Sequence, residues 1–176
     1  MIRMNIRTRI SSIKISILVF FSVLMVTGCG DNEYTQGWPY PENVRSVYVE
    51  MFNSKSLRRG AEYTLTDAIC KQIEVQTPYK IIADRNRADS ILYGEIVSLG
   101  DSVLATEAET GSPIEKEARV EVVFSWKDLN SGKMYVNEMK VTAAADYSMG
   151  QDYEYGSDVA VNKAALKVVE NMRLEW

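Results

Sequence analysis

IEKEARVEVVFSWKDLNSG, residues 114–132, contains the clearest alternation of apolar and polar side chains in the sequence. Alternation with a period of two predicts a half-buried β-strand from Ile114 to Trp126. Asp128 to Gly132 has the residues of a hairpin turn, because Asn and Gly accept a positive φ. Residues 133–147 alternate again and predict the returning strand. The residues predicted to face the core are Ala118, Val120, Val122, Phe124, Trp126, Tyr135, Met139, Val141, Ala143 and Ala145.

A long hairpin with one polar face packs its apolar face on helices, and the sequence supplies a helix on each side of it. Upstream, apolar residues at spacings of three and four predict a helix from Leu57 to Val75, although Gly60 weakens its first turn. Downstream, Ser157-Asp158 has the chemistry of an N-cap, and an apolar stripe predicts a last helix to about Leu174.

Three further strand segments lie around the first helix. Val44 to Phe52 alternates, Tyr79 to Ala83 is short, and Ser90 to Leu99 is apolar on both faces, as in an inner strand. We treat the last two as pieces of one strand around the polar turn 84–89, which gives the order β-α-β-β-β-α. The predicted fold class is α+β, a two-layer sandwich in which two helices cover one face of a four-stranded mixed sheet. Gly94 predicts a bulge or close packing against a helix.

The N-terminal 28 residues have the organisation of a secretory signal. Four basic residues precede an apolar run from Ile15 to Val26, which is shorter than the roughly 20 residues of a membrane-spanning helix. The run ends in Val26-Thr27-Gly28-Cys29, which resembles the lipobox of bacterial lipoproteins. The resemblance implies cleavage after Gly28 and diacylation of Cys29. Gly30, in place of the Asp that retains lipoproteins in the inner membrane, implies sorting to the outer membrane.

These features divide the chain into three parts: a signal peptide (1–28), a lipidated N-terminus with a linker (29–43), and one domain (44–176). The linker is rich in Gly, Pro, Asn and Asp, which interrupt any regular period. Trp38 and Tyr40 are unusual in a tether. We expect both to pack on the domain, and the alternative is a position near the membrane interface.

Composition excludes several classes of function. After residue 28 the chain carries all 24 acidic residues but only 16 of the 20 basic ones, so its net charge is −8 and a nucleic-acid partner is not expected. The sequence has no His, which removes the Ser-His-Asp triad and most catalytic zinc sites. We therefore expect no catalytic residue, no metal and no cofactor. Cys70 is the only thiol left after lipidation, and we expect it to be buried and inert.

Several segments resemble the LptE family, the lipoproteins of the lipopolysaccharide-assembly translocon. They are Cys29-Gly30 before a short linker, Arg45–Val49 with Phe52-Asn53, Arg58–Glu62 with Leu65-Thr66, Ala88–Ile96, and Trp126–Leu129 before Gly132. The resemblance covers essentially the whole chain after the signal peptide, and its motifs are structural rather than catalytic.

The resemblance implies a plug and assembly factor inside an LptD-type β-barrel, anchored by lipid on the periplasmic side of the outer membrane and in contact with lipopolysaccharide. Phosphates of lipid A call for Arg or Lys at loop tips, yet the loops 105–113 and 146–156 have neither. The candidate contacts for lipopolysaccharide or a partner are Lys127 and Lys133 beside the hairpin turn, and Arg85 and Arg87 in the 84–89 turn. Further basic candidates at the first helix are Arg58 and Arg59.

Two other functions are compatible with this sequence. A lipoprotein that docks on a cell-wall synthase and activates it would share the fold. The 14-residue linker 30–43 has an average reach of about 20 Å, however, which favours a partner at the membrane. An enzyme would need paired carboxylates, for which the candidates are Asp89, Glu95, Glu115 and Glu117. Glu115 and Glu117 alternate with apolar residues, which is the pattern of a solvent-facing side of a strand.

Overall fold

The computed structural model describes residues 40–173 except 42, 57 and 149, so the predictions for the signal peptide, Cys29 and Trp38 lie outside the described residues. In the described part, two helices and six strands form one layered domain. The elements are β1 (Ser46–Val49), β2 (Asn53–Ser54), α1 (Ala61–Gln76), β3 (Lys80–Ile81), β4 (Ser90–Thr106), β5 (Pro113–Asp128), β6 (Met134–Ser148) and α2 (Tyr153–Glu170), with a 3-10 turn at Arg85–Arg87.

The sheet is mixed and has the strand order β3-β1-β4-β5-β6, with β2 paired to β4 farther along the same edge as β1. β1 runs parallel to β3 and β4, whereas β4, β5 and β6 are antiparallel neighbours. The predicted α+β sandwich, with both helices on one face of a mixed sheet, is confirmed. The sheet has two short strands more than the four predicted.

Those two short strands lie where the sequence pattern predicts continuous strands. The segment 44–52 leaves the sheet after β1. The Phe52 side chain is buried in the core, and the Phe52 backbone N–H donates to the Thr66 hydroxyl at 3.1 Å. Pairing with β4 resumes at β2. The predicted continuation of Tyr79–Ala83 into β4 is wrong, because β3 pairs with β1 on the side away from β4.

The hairpin of β5 and β6 pairs the two apolar faces predicted from the sequence. Val120 lies opposite Ala143 and Val122 opposite Val141, and all four side chains are buried. The alternation breaks at Glu138, whose φ of 46° places two residues of β6 opposite Ser125. The Ser125 hydroxyl accepts the Glu138 N–H at 2.9 Å. This bulge leaves Met139 38% exposed, so its predicted core position is only partly correct.

The predicted starts of both helices need correction. α1 begins at Ala61 rather than Leu57, because Gly60 adopts a left-handed conformation with φ 106° that ends the preceding loop. α2 begins at Tyr153, so Ser157-Asp158 is not its cap. The Asp152 carboxylate caps it instead, accepting the Tyr155 N–H at 2.9 Å, and the Ser157 hydroxyl donates to the Glu154 carbonyl. The loop predicted over 146–156 is therefore reduced to the few residues between β6 and α2.

Trp126 lies at the centre of an aromatic row in the core. Its side chain is fully buried, and its ring lies 5.7 Å from Tyr79 and 4.6 Å from Tyr135, between ring centroids. Tyr79 in turn meets Tyr40 edge-on at 5.6 Å. Tyr40 is 5% exposed and donates to the Gln76 carbonyl, so the linker packs on the domain at Tyr40, as predicted.

Gly94 faces the core at a point where no side chain fits. A Cβ there would lie 2.3 Å from the Val123 carbonyl oxygen and 2.7 Å from the Phe52 ring. The close approach predicted from this glycine is present, but it involves strand β5 and an aromatic ring rather than a helix.

We expect Gly94→Ala to lower the free energy of unfolding by about 1–3 kcal/mol, because overpacking forces the neighbouring backbone and ring to shift. Gly100→Ala is the matched control in the same strand, because a Cβ at Gly100 meets no atom within 4 Å. Chemical denaturation followed by circular dichroism measures both. Equal stability of the two variants would contradict the packing argument.

Candidate functional site

One end of the sheet, here called the turn end, consists of segments 43–46, 84–89 and 128–133. Asp89 joins the three segments. Its Oδ2 accepts the backbone N–H of Arg45 and Ser46 and the Ser46 hydroxyl, at 3.1, 3.0 and 2.8 Å. Its carbonyl accepts the Leu129 N–H at 2.8 Å, and its Oδ1 accepts the Asn130 side-chain amide at 3.3 Å. The hydrogen bond from Ser46 is the main reason that the pKa of Asp89 lies below its usual range.

Asp128 holds the hairpin turn in the same way. Its carboxylate accepts the backbone N–H groups of Asn130 and Ser131, the Ser131 hydroxyl at 2.7 Å and the Asn43 amide at 2.9 Å. Burial acts to raise the pKa of Asp128, but these hydrogen bonds outweigh it and the pKa is lowered. Asp128 is 2% exposed, so its charge is directed into the turn rather than toward a ligand.

The four basic residues predicted as contacts all lie at this turn end. The turn that carries Arg85 and Arg87 ends at Asp89, which contacts the 128–133 turn beside Lys127 and Lys133. Arg85, Arg87 and Lys133 are exposed, and Lys133 lies 5.2 Å from the Tyr135 ring centroid. Among the described residues, none of the four forms an ion pair within 4.0 Å. Within the described residues, no acidic side chain therefore neutralises these four charges at that distance.

The opposite end, here called the loop end, contains the loops 107–112 and 149–152 and the N-termini of both helices. Asp101 is its central carboxylate. The Tyr147 hydroxyl donates to Asp101 at 2.9 Å, Lys116 lies at 3.4 Å, and Arg58 lies 3.7 Å away. Burial acts to raise the pKa of Asp101, and these partners together lower it. Burial and the bond to Asp101 raise the pKa of Tyr147 to about 12.

Arg58 lies between two open cavities at the loop end. Its guanidinium carbon is 3.4 Å from the Tyr153 ring centroid, a stacked cation–π contact. A cavity of about 450 Å³ lies on its β2 side, and one of about 320 Å³ lies between Gly60 and α2. Sequence reasoning named Arg58 and Arg59 but missed Asp101, Lys116 and Tyr147. The signal that could have found them is the register of β5 with both of its neighbours, which places Lys116 opposite Val103 of β4 and opposite Tyr147 of β6.

The face of the sheet opposite the helices, here called the open face, is polar along β5 and β6. The exposed side chains on it include Arg119, Lys140, Thr142 and Asp146. Ion pairs cross and follow the strands, with Glu121 to Lys140 at 2.8 Å and Glu117 to Arg119 at 2.6 Å. The open face therefore presents alternating charges of both signs.

The carboxylates considered for an enzyme do not form a pair. Asp89 binds backbone N–H groups at the turn end, Glu95 pairs with Lys55, and Glu117 pairs with Arg119. Glu115 is exposed near the loop end. Within the described residues, no group of three or more His, Cys, Asp or Glu side chains is placed to hold a metal ion. Cys70 is only half-buried, not fully buried as expected, and this burial raises the pKa of its thiol. Neither described helix is long and apolar enough to span a membrane.

Solved structures with this fold have little sequence identity to the chain. The PelC dodecamer from Paraburkholderia phytofirmans has a TM-score of 0.52 at 14% identity, over 77% of this chain and 94% of that one. A hypothetical protein from Chlamydia trachomatis has a TM-score of 0.53 at 9% identity, over 72% of this chain and 94% of that one. No curated protein matches the chain. The structural similarities establish the fold alone, a small α+β sandwich.

The sequence match establishes the family. The lipopolysaccharide-assembly family LptE matches residues 44–173, which is nearly the whole described domain. The chain belongs to the LptE family, as the sequence resemblance predicted.

We expect Asp89→Asn to lower the free energy of unfolding at neutral pH by about 1–3 kcal/mol, because an amide cannot accept both backbone N–H groups as strongly as a carboxylate. The lowered pKa means that this contribution is present above the unfolded-state pKa of about 4 and is lost as the pH falls through the folded-state value. The difference between wild type and variant should therefore shrink in acid.

Urea denaturation at several pH values between neutral and acid measures this difference. Glu109→Gln, in an exposed loop, is the control and should follow the wild type at every pH. A stability difference for Asp89→Asn that does not change with pH would show that the Asp89 charge is not what stabilises the turn end.

Proposed function

We propose that this protein is an outer-membrane lipoprotein that assembles with an LptD-type β-barrel and plugs it during transport of lipopolysaccharide to the cell surface. The single observation that carries the proposal is the polar open face on a domain of the LptE family. The lumen of a large outer-membrane barrel is polar, so a domain that fills it needs charged and hydrogen-bonding side chains on its broad surfaces.

The dimensions of the hairpin suit this role. β4, β5 and β6 contain 17, 16 and 15 residues, so at about 3.3 Å per residue each strand extends for roughly 50 Å. The apolar band of an outer-membrane barrel is about 25 Å tall. A sheet of this length can therefore line the lumen from one side of the membrane to the other, with the helices supporting it from behind.

The anchor would determine on which side of the membrane the domain begins. Two or more acyl chains at Cys29 give stable anchoring in the membrane. Tyr40 is already packed in the core, so only about ten residues separate the lipid from the folded domain. At this distance the domain stays beside the membrane, where a barrel partner is located.

Contact with lipopolysaccharide would use the basic side chains at the two ends of the sheet. At the turn end, Arg85, Arg87, Lys127 and Lys133 are the candidates, because their charges have no described ion-pair partner. At the loop end, Arg59 lines both cavities beside the N-terminus of α1. Phosphate groups are bound well by such charged donors, and Arg in particular binds them with two hydrogen bonds.

Photo-crosslinking from two faces of the domain tests the plug. We expect a crosslinking amino acid at Thr142, on the open face, and another at Glu74, on the exposed side of α1, to capture the same β-barrel in the native envelope, because a lumen surrounds its plug. The buried position Val168 is the control and should capture nothing. Capture of a cell-wall synthase, or of a barrel from one face only, would contradict the plug and favour a docking module.

Charge reversal at the turn end tests the lipid contact. Lys127→Glu combined with Lys133→Glu should weaken binding of purified lipopolysaccharide at least tenfold, because two phosphate-binding charges become repulsive. The control is Lys55→Glu combined with Lys71→Glu, which makes the same change in net charge away from the turn end. Both of these lysines are already paired with acidic side chains. Equal affinities for the two double variants would assign Lys127 and Lys133 to ordinary solvated surface.

A further inference from the structure

The free edge of β6 is the longest unpaired strand edge in the described sheet. β6 is the last strand in the sheet order, and its other edge pairs with β5 from Glu115 to Lys127. In an antiparallel ladder every second residue of an edge strand directs its N–H and C=O away from the neighbour. For β6 beyond the bulge at Glu138, these are Lys140, Thr142, Ala144, Asp146 and Ser148.

Side chains from the α2 region occupy three of these five positions. The Lys167 ammonium donates to the Thr142 carbonyl at 2.7 Å, and the Lys163 ammonium donates to the Ala144 carbonyl at 3.1 Å. At the end of the strand, the Gln151 side chain accepts the Ser148 N–H at 3.2 Å. The Gln151 backbone N–H donates to the Ser148 carbonyl at 2.9 Å. Other groups of the same chain thus satisfy edge groups that a pairing strand would use.

The two lysines fit this edge because the helix and strand repeats nearly match. Residues four apart on a helix are separated by about 6.0 Å along its axis, and outward residues two apart on a strand by about 6.6 Å. Lys163 and Lys167 therefore reach successive outward carbonyls from one side of α2. Lysine placed over a strand edge is one of the means by which proteins prevent unwanted strand pairing.

We propose that the edge of β6 from Lys140 to Ser148 is a pairing surface for a second copy of this chain, held closed by Lys163 and Lys167. The proposed occupant follows from charge complementarity. In an antiparallel pairing centred on Ala143, Thr142 of one copy lies opposite Ala144 of the other. Lys140, which is 2.8 Å from Glu121 within its own copy, lies opposite Asp146 of the other. The two-fold axis repeats the Lys140–Asp146 pair, and opposite charges on directly facing residues favour strand pairing.

This inference is independent of lipopolysaccharide assembly, because it concerns contact between copies of the chain. It accounts for two lysines that make backbone hydrogen bonds at the sheet edge. The bulge at Glu138 limits the surface to one side, because the outward direction of the backbone groups changes there.

The test is the oligomeric state of full-length protein purified in detergent micelles, measured by analytical ultracentrifugation. The wild type should be monomeric, and Lys163→Ala combined with Lys167→Ala should raise the association constant at least tenfold, because two carbonyls become available to a second strand. Lys163→Arg combined with Lys167→Arg should restore the monomer, since Arg can donate to the same carbonyls. Lys71→Ala is the control for loss of an exposed lysine far from β6.

A disulfide trap tests the register. In a Cys70→Ser background, Thr142→Cys with Ala144→Cys should form a covalent dimer under mild oxidation when both edge lysines are alanine, and much less of it when they are present. Directly opposite residues of an antiparallel pair have Cα atoms about 5.5 Å apart, within the range of a disulfide. A double-alanine variant that keeps its thermal unfolding transition but remains monomeric would overturn the proposal. Equal trapping with and without the lysines would also overturn it.

Discussion

The hydrogen bond from the Trp126 indole to the Ser90 hydroxyl is the interaction on which the rest of the structure depends. It joins β5 to the first residue of β4 at 3.1 Å, with both side chains fully buried. Ser90 in turn donates to the Ser46 carbonyl at 3.1 Å, and the Ser46 hydroxyl binds Asp89. One polar chain therefore connects the centre of the core to β1 and to the turn end. Leaving the buried indole N–H without a partner would lower the free energy of unfolding by about 1–3 kcal/mol. The position of Trp126 therefore fixes the start of β4.

The parts of the fold that follow from local patterns could be predicted from the sequence. β5 and β6 alternate because one face is buried, and α1 and α2 carry apolar stripes. The existence of these four elements and their inward faces are therefore predicted correctly, except at the bulge of β6, where Met139 is 38% exposed. The additional strands could not be predicted in this way. β3 is two residues long, and whether such a segment pairs beside β1 or continues into β4 depends on contacts far apart in sequence. The start of α2 was missed because Tyr153, Tyr155 and Gly156 resemble a loop, whereas Asp152 supplies the cap.

Of the two candidate surfaces, the turn end could be predicted from the sequence and the loop end could not. The sequence places the turn-end residues Arg85, Arg87, Lys127 and Lys133 next to turns, and the fold brings the two turns together through Asp89. The loop-end cluster around Asp101 was not predicted, because its members come from three strands and from the segment before α1. Only contacts between parts of the chain that are far apart in sequence bring them together. An acidic domain thus keeps basic side chains at both ends of its sheet, while the loops 107–112 and 149–152 contain none.

The open face is polar, but the stability of the domain does not depend on its ion pairs. Exposed ion pairs such as Glu121 with Lys140 contribute at most about 1 kcal/mol each, because water screens them. The core on the other face, with Val120, Val122 and Trp126 fully buried, supplies the stability instead. The charges on the open face are therefore not needed for folding, and their arrangement is free to match a partner. The same charges gain strength where water is excluded, because the effective dielectric constant is lower there. A surface that contributes little in the free protein can thus contribute more when it is enclosed.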